Sequence, residues 1–275
     1  MGAHRNSLRG MANAAAFFDL DRTLIAGASA FPLGIEAWRQ DLASGRDLLG
    51  WALAAMMFKL IGDTGEGTST EVMSEFLSRI EGTPTSELDL VGSSLLPRLA
   101  DRVRPESRKL LSLHHEHGRD TWIVSASPEE LVTPLADSLG MTGAIGTRGE
   151  IVDGRYTGQL DGPFVYGPGK AEAISRLAAE RGYDLERCYA YSDSVSDLPM
   201  LELVGHPVAV NPDSRLDAVA HDRGWPVVIF ARKTKRAIAF GGVGAGTLLS
   251  ALAAYLLGRR HGREASRTKL SLRRS

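Results

Sequence analysis

The 275-residue chain holds a single cysteine, Cys188. One thiol excludes an intrachain disulfide and any cysteine-held metal cluster. Its setting in "RCYAYSDS" reads as a buried strand, so it is a core thiol rather than a nucleophile. An excess of either charge is missing too: 32 Lys and Arg stand against 33 Asp and Glu, which excludes a dedicated nucleic-acid binder. That balance hides a local deficit of acids. From Arg232 to the end Glu264 is the lone one, so the remainder of the chain is acidic. Residues 1–13 lack the basic-then-apolar pattern of a secretory leader and read as a disordered lead-in. The sequence has no internal repeat.

Present instead is an apolar run, "AAAFFDLDRTLIAG" over 14–27, cut by two carboxylates one residue apart. Residues 14–19 read as a short buried strand. Residues 28–103 hold helical patterns and no strand candidate: an apolar run at 47–61, capping-box spacing at 68–71, and a third stretch at 85–103 with Pro97 as a break. They are expected to form a helical cap inserted after the first strand. From 104 the rhythm changes to strand–helix alternation. "DTWIVSAS", "RCYAYSDS", "HPVAVN" and "WPVVIF" read as strands. "ESRKLLSLHHEHG", "PEELVTPLADSLG", "KAEAISRLAAERG", "DLPMLELVG" and "DSRLDAVAHDRG" read as helices. Residues 145–160, with Gly149, Gly154 and Gly158, read as a hairpin flap. The alternation predicts an α/β, Rossmann-like parallel sheet with helices on both faces.

In such a sheet the ligand site lies at the C-terminal ends of the strands. Asp19 and Asp21 follow the first strand, Ser125 the second and Asp193 the third. Burying these carboxylates requires a compensating charge. A hard divalent cation supplies it most simply, and Mg²⁺ takes oxygen ligands from one or two carboxylates plus a substrate phosphate. Lys170 adds a fixed positive charge at a helix start. Ser125 and the amides after it are donors of the kind that hold phosphate. Together they suit a phosphoryl group, with an aspartate placed to attack it. The run from His114 to His117 sits at a helix C-terminus, and a solvated cationic face accounts for it better than a metal site does.

"DLDRT", "VSAS", the lysine at 170 and "SDSVSDLPML" resemble the four motifs of the haloacid dehalogenase superfamily. The likeness is to its phosphoserine-phosphatase-like subfamily IB and covers roughly residues 14–230. It implies a core of 14–27 plus 104–231 with 28–103 as cap. It also implies Mg²⁺-dependent hydrolysis of a small or lipid phosphomonoester through an aspartyl-phosphate. Asp19 would attack phosphorus and ligate the metal. Asp21 would serve as general acid and base, its carbonyl binding the metal. Asp193 would complete the metal site, with Asp197 supporting it. Lys170 would hold nucleophile and phosphate together. Ser125 and the amides of Leu20 and Ala126 would bind phosphate oxygens. Phosphoserine phosphatases carry a glutamate for the substrate's amino group; the matching position here is Ala28, which favours an uncharged or apolar alcohol. The same nucleophile would also serve a phosphotransferase. A silent membrane-associated binding protein on this fold is the non-enzymatic alternative.

The last feature is a charge-free run, 237–257, with a G-x-x-x-G at Gly242 and Gly246 and basic residues on both sides. It is long enough to span a bilayer. The segment 232–275 is therefore expected to be an apolar helix with a basic C-terminus, anchoring a cytoplasmic catalytic domain to the membrane.

Overall fold

The computed structural model describes residues 13–29, 74, 77–78 and 80–230. The lead-in before residue 13, the cap segments at 47–61 and 68–71, and the tail 232–275 lie outside the described residues. Among those described, no helix is long and apolar enough to cross a membrane.

The described chain runs through β1 (Ala15–Asp19), α1 (Thr85–Ala100), α2 (Pro105–Glu116), β2 (Asp120–Pro128), α3 (Glu129–Ser138) and β3 (Gly143–Thr147). There follow β4 (Gly149–Val152), β5 (Arg155–Leu160), α4 (Pro168–Arg181), β6 (Tyr189–Ser192), α5 (Leu198–Glu202), β7 (His206–Val210), α6 (Ser214–Asp222) and β8 (Val227–Val228). Six strands form one sheet in the order β3-β2-β1-β6-β7-β8, every pair parallel. This is the doubly wound α/β architecture that the alternation predicts.

Strand periodicity divides the core cleanly. Ala16 and Phe18 face one cluster with Ile123, Tyr191 and Val208, covered by α1, α2 and α3. Ala15 and Phe17 face the other with Trp122, Val124 and Ala190, covered by α4, α5 and α6. Every residue of β1 is buried, as expected for a central strand with helices on both faces. The strand order reverses between β1 and β6, so a crevice opens at their C-terminal ends.

Within the stretch expected to be the cap, α1 joins the first cluster through Val91, Leu95 and Leu99. It lies very close to α3: a Cβ on Gly92 would fall 2.4 Å from the Glu130 carbonyl oxygen. Only glycine permits that approach without a backbone shift.

Two expectations need correction. The stretch 145–160 is not one hairpin. β3 pairs with β2 at the edge of the main sheet, and only β4 and β5 pair antiparallel. Gly143, at the start of β3, lies opposite Trp122 in the ladder. A Cβ there would meet the indole ring at 2.6 Å. The histidine run is not a uniformly solvated face either. His114 is fully buried against Phe18 and Tyr191, whereas His115 and His117 are exposed. Arg119 can only donate, so its contact at 3.3 Å makes His114 Nδ1 an acceptor and leaves Nε2–H to donate to the Tyr191 hydroxyl at 2.8 Å. Burial pushes the imidazole pKa down to about 3, with the Arg119 charge adding to the effect, so this histidine is a neutral core residue.

Candidate active site

β1 ends on Asp19, and the chain bends at once through a wide turn, Leu20–Leu24, closed by the Ile25 N–H on the Leu20 carbonyl at 3.0 Å. Arg22 takes a left-handed conformation there, φ 62°, which few non-glycine residues adopt. The turn carries its side chains to the end of β6. Arg22 Nε lies 2.8 Å from Asp193 Oδ2, and the Thr23 hydroxyl donates to Asp193 Oδ1 at 3.4 Å.

Lys170, in the first turn of α4, reaches the same place from the opposite side. Its ammonium donates to Asp19 Oδ1 at 2.6 Å and to Asp197 Oδ2 at 2.8 Å. Ser192, the last residue of β6, donates to that Asp197 oxygen at 2.6 Å. Asp197 stands at the N-cap position of α5, yet its side chain caps nothing. Its other oxygen, Oδ1, is buried without a hydrogen-bond partner.

The second carboxylate of the opening motif has a different environment. Asp21 Oδ1 accepts from the Ser29 N–H at 2.8 Å and Oδ2 from the Ser29 hydroxyl at 3.2 Å. The Ser29 hydroxyl meets that of Ser127 at 2.8 Å, and the Ser127 N–H donates to Ser125 Oγ at 3.1 Å. The β2–β3 register shifts between Val124 and Pro128, so Ser125, Ala126 and Ser127 bow out of the ladder as a bulge does. Ser125 Oγ accepts from within its own loop, and its hydrogen remains to donate elsewhere. Leu20 is buried in the turn after β1. Ala126 occupies the middle of the bowed segment.

The electrostatics of this end of the sheet are out of balance. Among the described residues four carboxylates, Asp19, Asp21, Asp193 and Asp197, face two cations, Lys170 and an Arg22 that is 53% exposed. Burial pushes the Asp19 pKa up to about 7, against the pull of Lys170. Burial and then the Asp19 charge push Asp193 up to about 8. Burial also raises Asp21, which the Ser29 hydrogen bonds partly offset. Burial disfavours the Lys170 ammonium, but the Asp19 and Asp197 carboxylates outweigh it and hold that pKa above its usual value.

Among the described residues no group of three or more His, Cys, Asp or Glu side chains is placed to hold a metal alone. Among the described residues the donor set is oxygen only, two strand-end carboxylates beside a backbone turn, with more carboxylates than cations. That fits Mg²⁺, which takes few protein ligands and fills its octahedron from water and phosphate.

The chain matches the haloacid dehalogenase-like hydrolase family over residues 16–202. It is 42% identical over 248 residues to the phosphoserine phosphatase SerB1 of Mycobacterium tuberculosis, covering 87% of this chain and 80% of that protein. It is also 42% identical over 132 residues to a histidinol-phosphatase of Neisseria meningitidis, covering 46% of this chain and 60% of the relative. A solved structure of a Bordetella pertussis protein of unknown function superposes with a TM-score of 0.68 at 27% identity, covering 79% of this chain and 98% of the other. The chain belongs to the haloacid dehalogenase-like hydrolases, on the phosphatase side of that family.

Thr23 and Ser127 escape the sequence, and so do three further residues of this network. Arg22, Ser29 and Ser192 are common polar residues whose partners lie 171, 8 and 5 positions away. Only Ser192 carries a signal, since it ends a strand beside Asp193. Ser29 sits in "AGASAF", where no pattern singles it out.

Proposed function

We propose that the chain is a Mg²⁺-dependent phosphatase that hydrolyses a small phosphomonoester through an aspartyl-phosphate on Asp19. The observation that carries this reading is the charge arrangement at the ends of β1 and β6: a buried nucleophile-type carboxylate gripped by one lysine within a cluster that, among the described residues, holds more carboxylates than cations. A dianionic phosphate can enter such a site only with a cation, and phosphoryl transfer is accelerated mainly by positioning and charge neutralisation.

Each residue has a defined task. Asp19 attacks phosphorus, and the bond from phosphorus to the alcohol oxygen breaks. Asp21, protonated, gives its proton to that oxygen. As a carboxylate it then takes a proton from the water that attacks the aspartyl-phosphate, releasing inorganic phosphate and restoring Asp19. Lys170 keeps Asp19 oriented and neutralises charge on the phosphoryl oxygens. Ser125 donates its hydrogen to one of those oxygens, with the amides of Leu20 and Ala126 beside it. Mg²⁺, when bound, would be held by Asp19, Asp193 and the Asp21 carbonyl, and would neutralise phosphoryl charge as a Lewis acid. Asp197 acts through Lys170.

The named substrates of the two curated relatives are both small phosphomonoesters, which supports a small alcohol as leaving group. Ala28 brings no acid to meet an amino group on it, and its carbonyl accepts from Arg102 at 3.1 Å. The test is phosphate release from phosphoserine, histidinol phosphate, glycerol phosphate, lysophosphatidate and an aryl phosphate, each with Mg²⁺ and with chelator. Turnover that needs Mg²⁺ and disappears in Asp19→Asn is expected. Turnover that survives Asp19→Asn, or none with any ester, contradicts the proposal. An added acceptor alcohol reports transfer in place of hydrolysis.

For 237–257 we propose membrane association, supported by its length and lack of charge. Full-length protein that stays in the supernatant after membranes are pelleted contradicts it.

A further inference from the structure

The geometry points to Ser29 and Ser127 as positioning residues that fix the Asp21 carboxyl group and tie it to the phosphate-binding loop. This inference rests on the role of Asp21 proposed above.

Ser29 is buried, at 1% exposure, and spends both of its donors on one carboxylate. Its N–H holds Asp21 Oδ1 at 2.8 Å and its hydroxyl holds Oδ2 at 3.2 Å. A single hydrogen bond would let a carboxylate swivel about its last torsion. Two bonds from one residue, one to each oxygen, set its plane. Direction follows from hydrogen counting. The Ser29 hydroxyl has one hydrogen and donates it to Asp21, so at the 2.8 Å contact the Ser127 hydroxyl must donate to Ser29. The Ser127 N–H in turn donates to Ser125 Oγ. Four residues from three segments are therefore linked: Ser127 donates both ways, its N–H to Ser125 and its hydroxyl to Ser29, which gives its own hydrogen to Asp21. The Ser125 hydrogen left over is the one available to phosphate. The group that holds the phosphoryl oxygen and the group that protonates the leaving oxygen are thus registered against each other through Ser127 and Ser29.

A proton donor contributes about 10²–10⁴-fold when it is held in line with the leaving atom, and misplacement of about 1 Å costs about 10²-fold. The benefit exists only where the leaving group needs a proton. An alkoxide does. A nitrophenolate leaves without help. The structural consequence is a dependence on leaving group that simple loss of stability does not produce.

The experiment measures kcat/KM for glycerol phosphate and p-nitrophenyl phosphate in wild type, Ser29→Ala, Ser29→Thr, Ser127→Ala and Asp19→Asn, with Mg²⁺. kcat/KM covers only the steps through release of the alcohol, so the later hydrolysis of the aspartyl-phosphate does not enter. Ser29→Ala is expected to lower the alkyl value by about 10- to 100-fold and the aryl value by less than about 3-fold. Ser29→Thr, which keeps the hydroxyl, should restore the alkyl value to within about 5-fold. Ser127→Ala should show the same selectivity at about 3- to 10-fold, and carries the test if Ser29→Ala does not fold. Equal losses on both esters, or no loss in either alanine variant, would overturn the assignment. Activity retained in Asp19→Asn would overturn the phosphatase proposal itself, a separate result.

Discussion

At the start of β2, Asp120 accepts a hydrogen bond from the Tyr183 hydroxyl, which itself accepts from Trp122 Nε1 at 3.2 Å, and Thr142 donates to the other Asp120 oxygen at 3.3 Å. At the opposite end of the sheet, beyond β1 and β6, Asp19 and Asp193 share two cations with Asp197 and Asp21. Trp122 and Tyr183 are buried at the first end, as Asp19, Asp193 and Asp197 are at the second. The first end matches each donor to an acceptor, and the Arg181 guanidinium covers the Trp122 ring at 5.2 Å. The second leaves Asp197 Oδ1 without a partner and holds two carboxylates far above the ordinary 3.8. Satisfied networks fix a fold, whereas unbalanced charge in a crevice marks a place where something else binds.

Four changes separate the two ends, in falling order of effect. Asp19→Asn should lower turnover by at least about 10³-fold, the scale on which loss of a nucleophile falls, while leaving the fold intact by circular dichroism. Lys170→Met should lower stability by about 3–5 kcal/mol in chemical unfolding, because Asp19 and Asp197 lose their shared buried cation. Turnover should fall with it. The third change is pH, applied to metal-free protein. The raised folded values mean that the native state holds protons that the unfolded chain releases. The cost is absent below about 3.8, grows as pH rises toward about 7 and about 8, and is constant above. Thermal unfolding in chelator should therefore shift down between pH 5 and pH 8, by at most about 1.4 kcal/mol per pH unit per group. Millimolar Mg²⁺, or Asp193→Asn, should flatten that slope. The smallest effect belongs to the balanced end. Tyr183→Phe should cost about 1–3 kcal/mol, since Asp120 and Trp122 each lose a partner, and kcat should stay within about 2-fold.

The sequence foretold the parallel sheet because its strands are short apolar runs that end in chemistry: Asp19, Ser125 and Asp193 each interrupt one. Lys170 was legible from its place in the order of motifs and its position at a helix start. What escaped depends on contacts rather than on pattern. β3 escaped because "GAIGT" carries two glycines, poor strand formers, and the space above Gly143 is filled by a tryptophan 21 residues earlier in the chain. His114 lay inside a polar run. Its helix nevertheless buries Ser107, Leu110, Leu111 and His114, a three-and-four spacing that places His114 on the apolar stripe. Ser29 had no such signal. Its role appears only when the turn at Leu20–Leu24 and the bowed segment after Val124 meet.

The most direct test of the central claim is to quench the enzyme in acid during turnover of a phosphomonoester with Mg²⁺, reduce it with borohydride, and map the product by mass spectrometry. An acyl phosphate on Asp19 would be reduced to homoserine, so the peptide spanning residue 19 should carry that mass change, absent without substrate and absent in Asp19→Asn. Turnover with an unmodified residue 19, or with the change at another carboxylate, would contradict the assignment of Asp19 as the nucleophile.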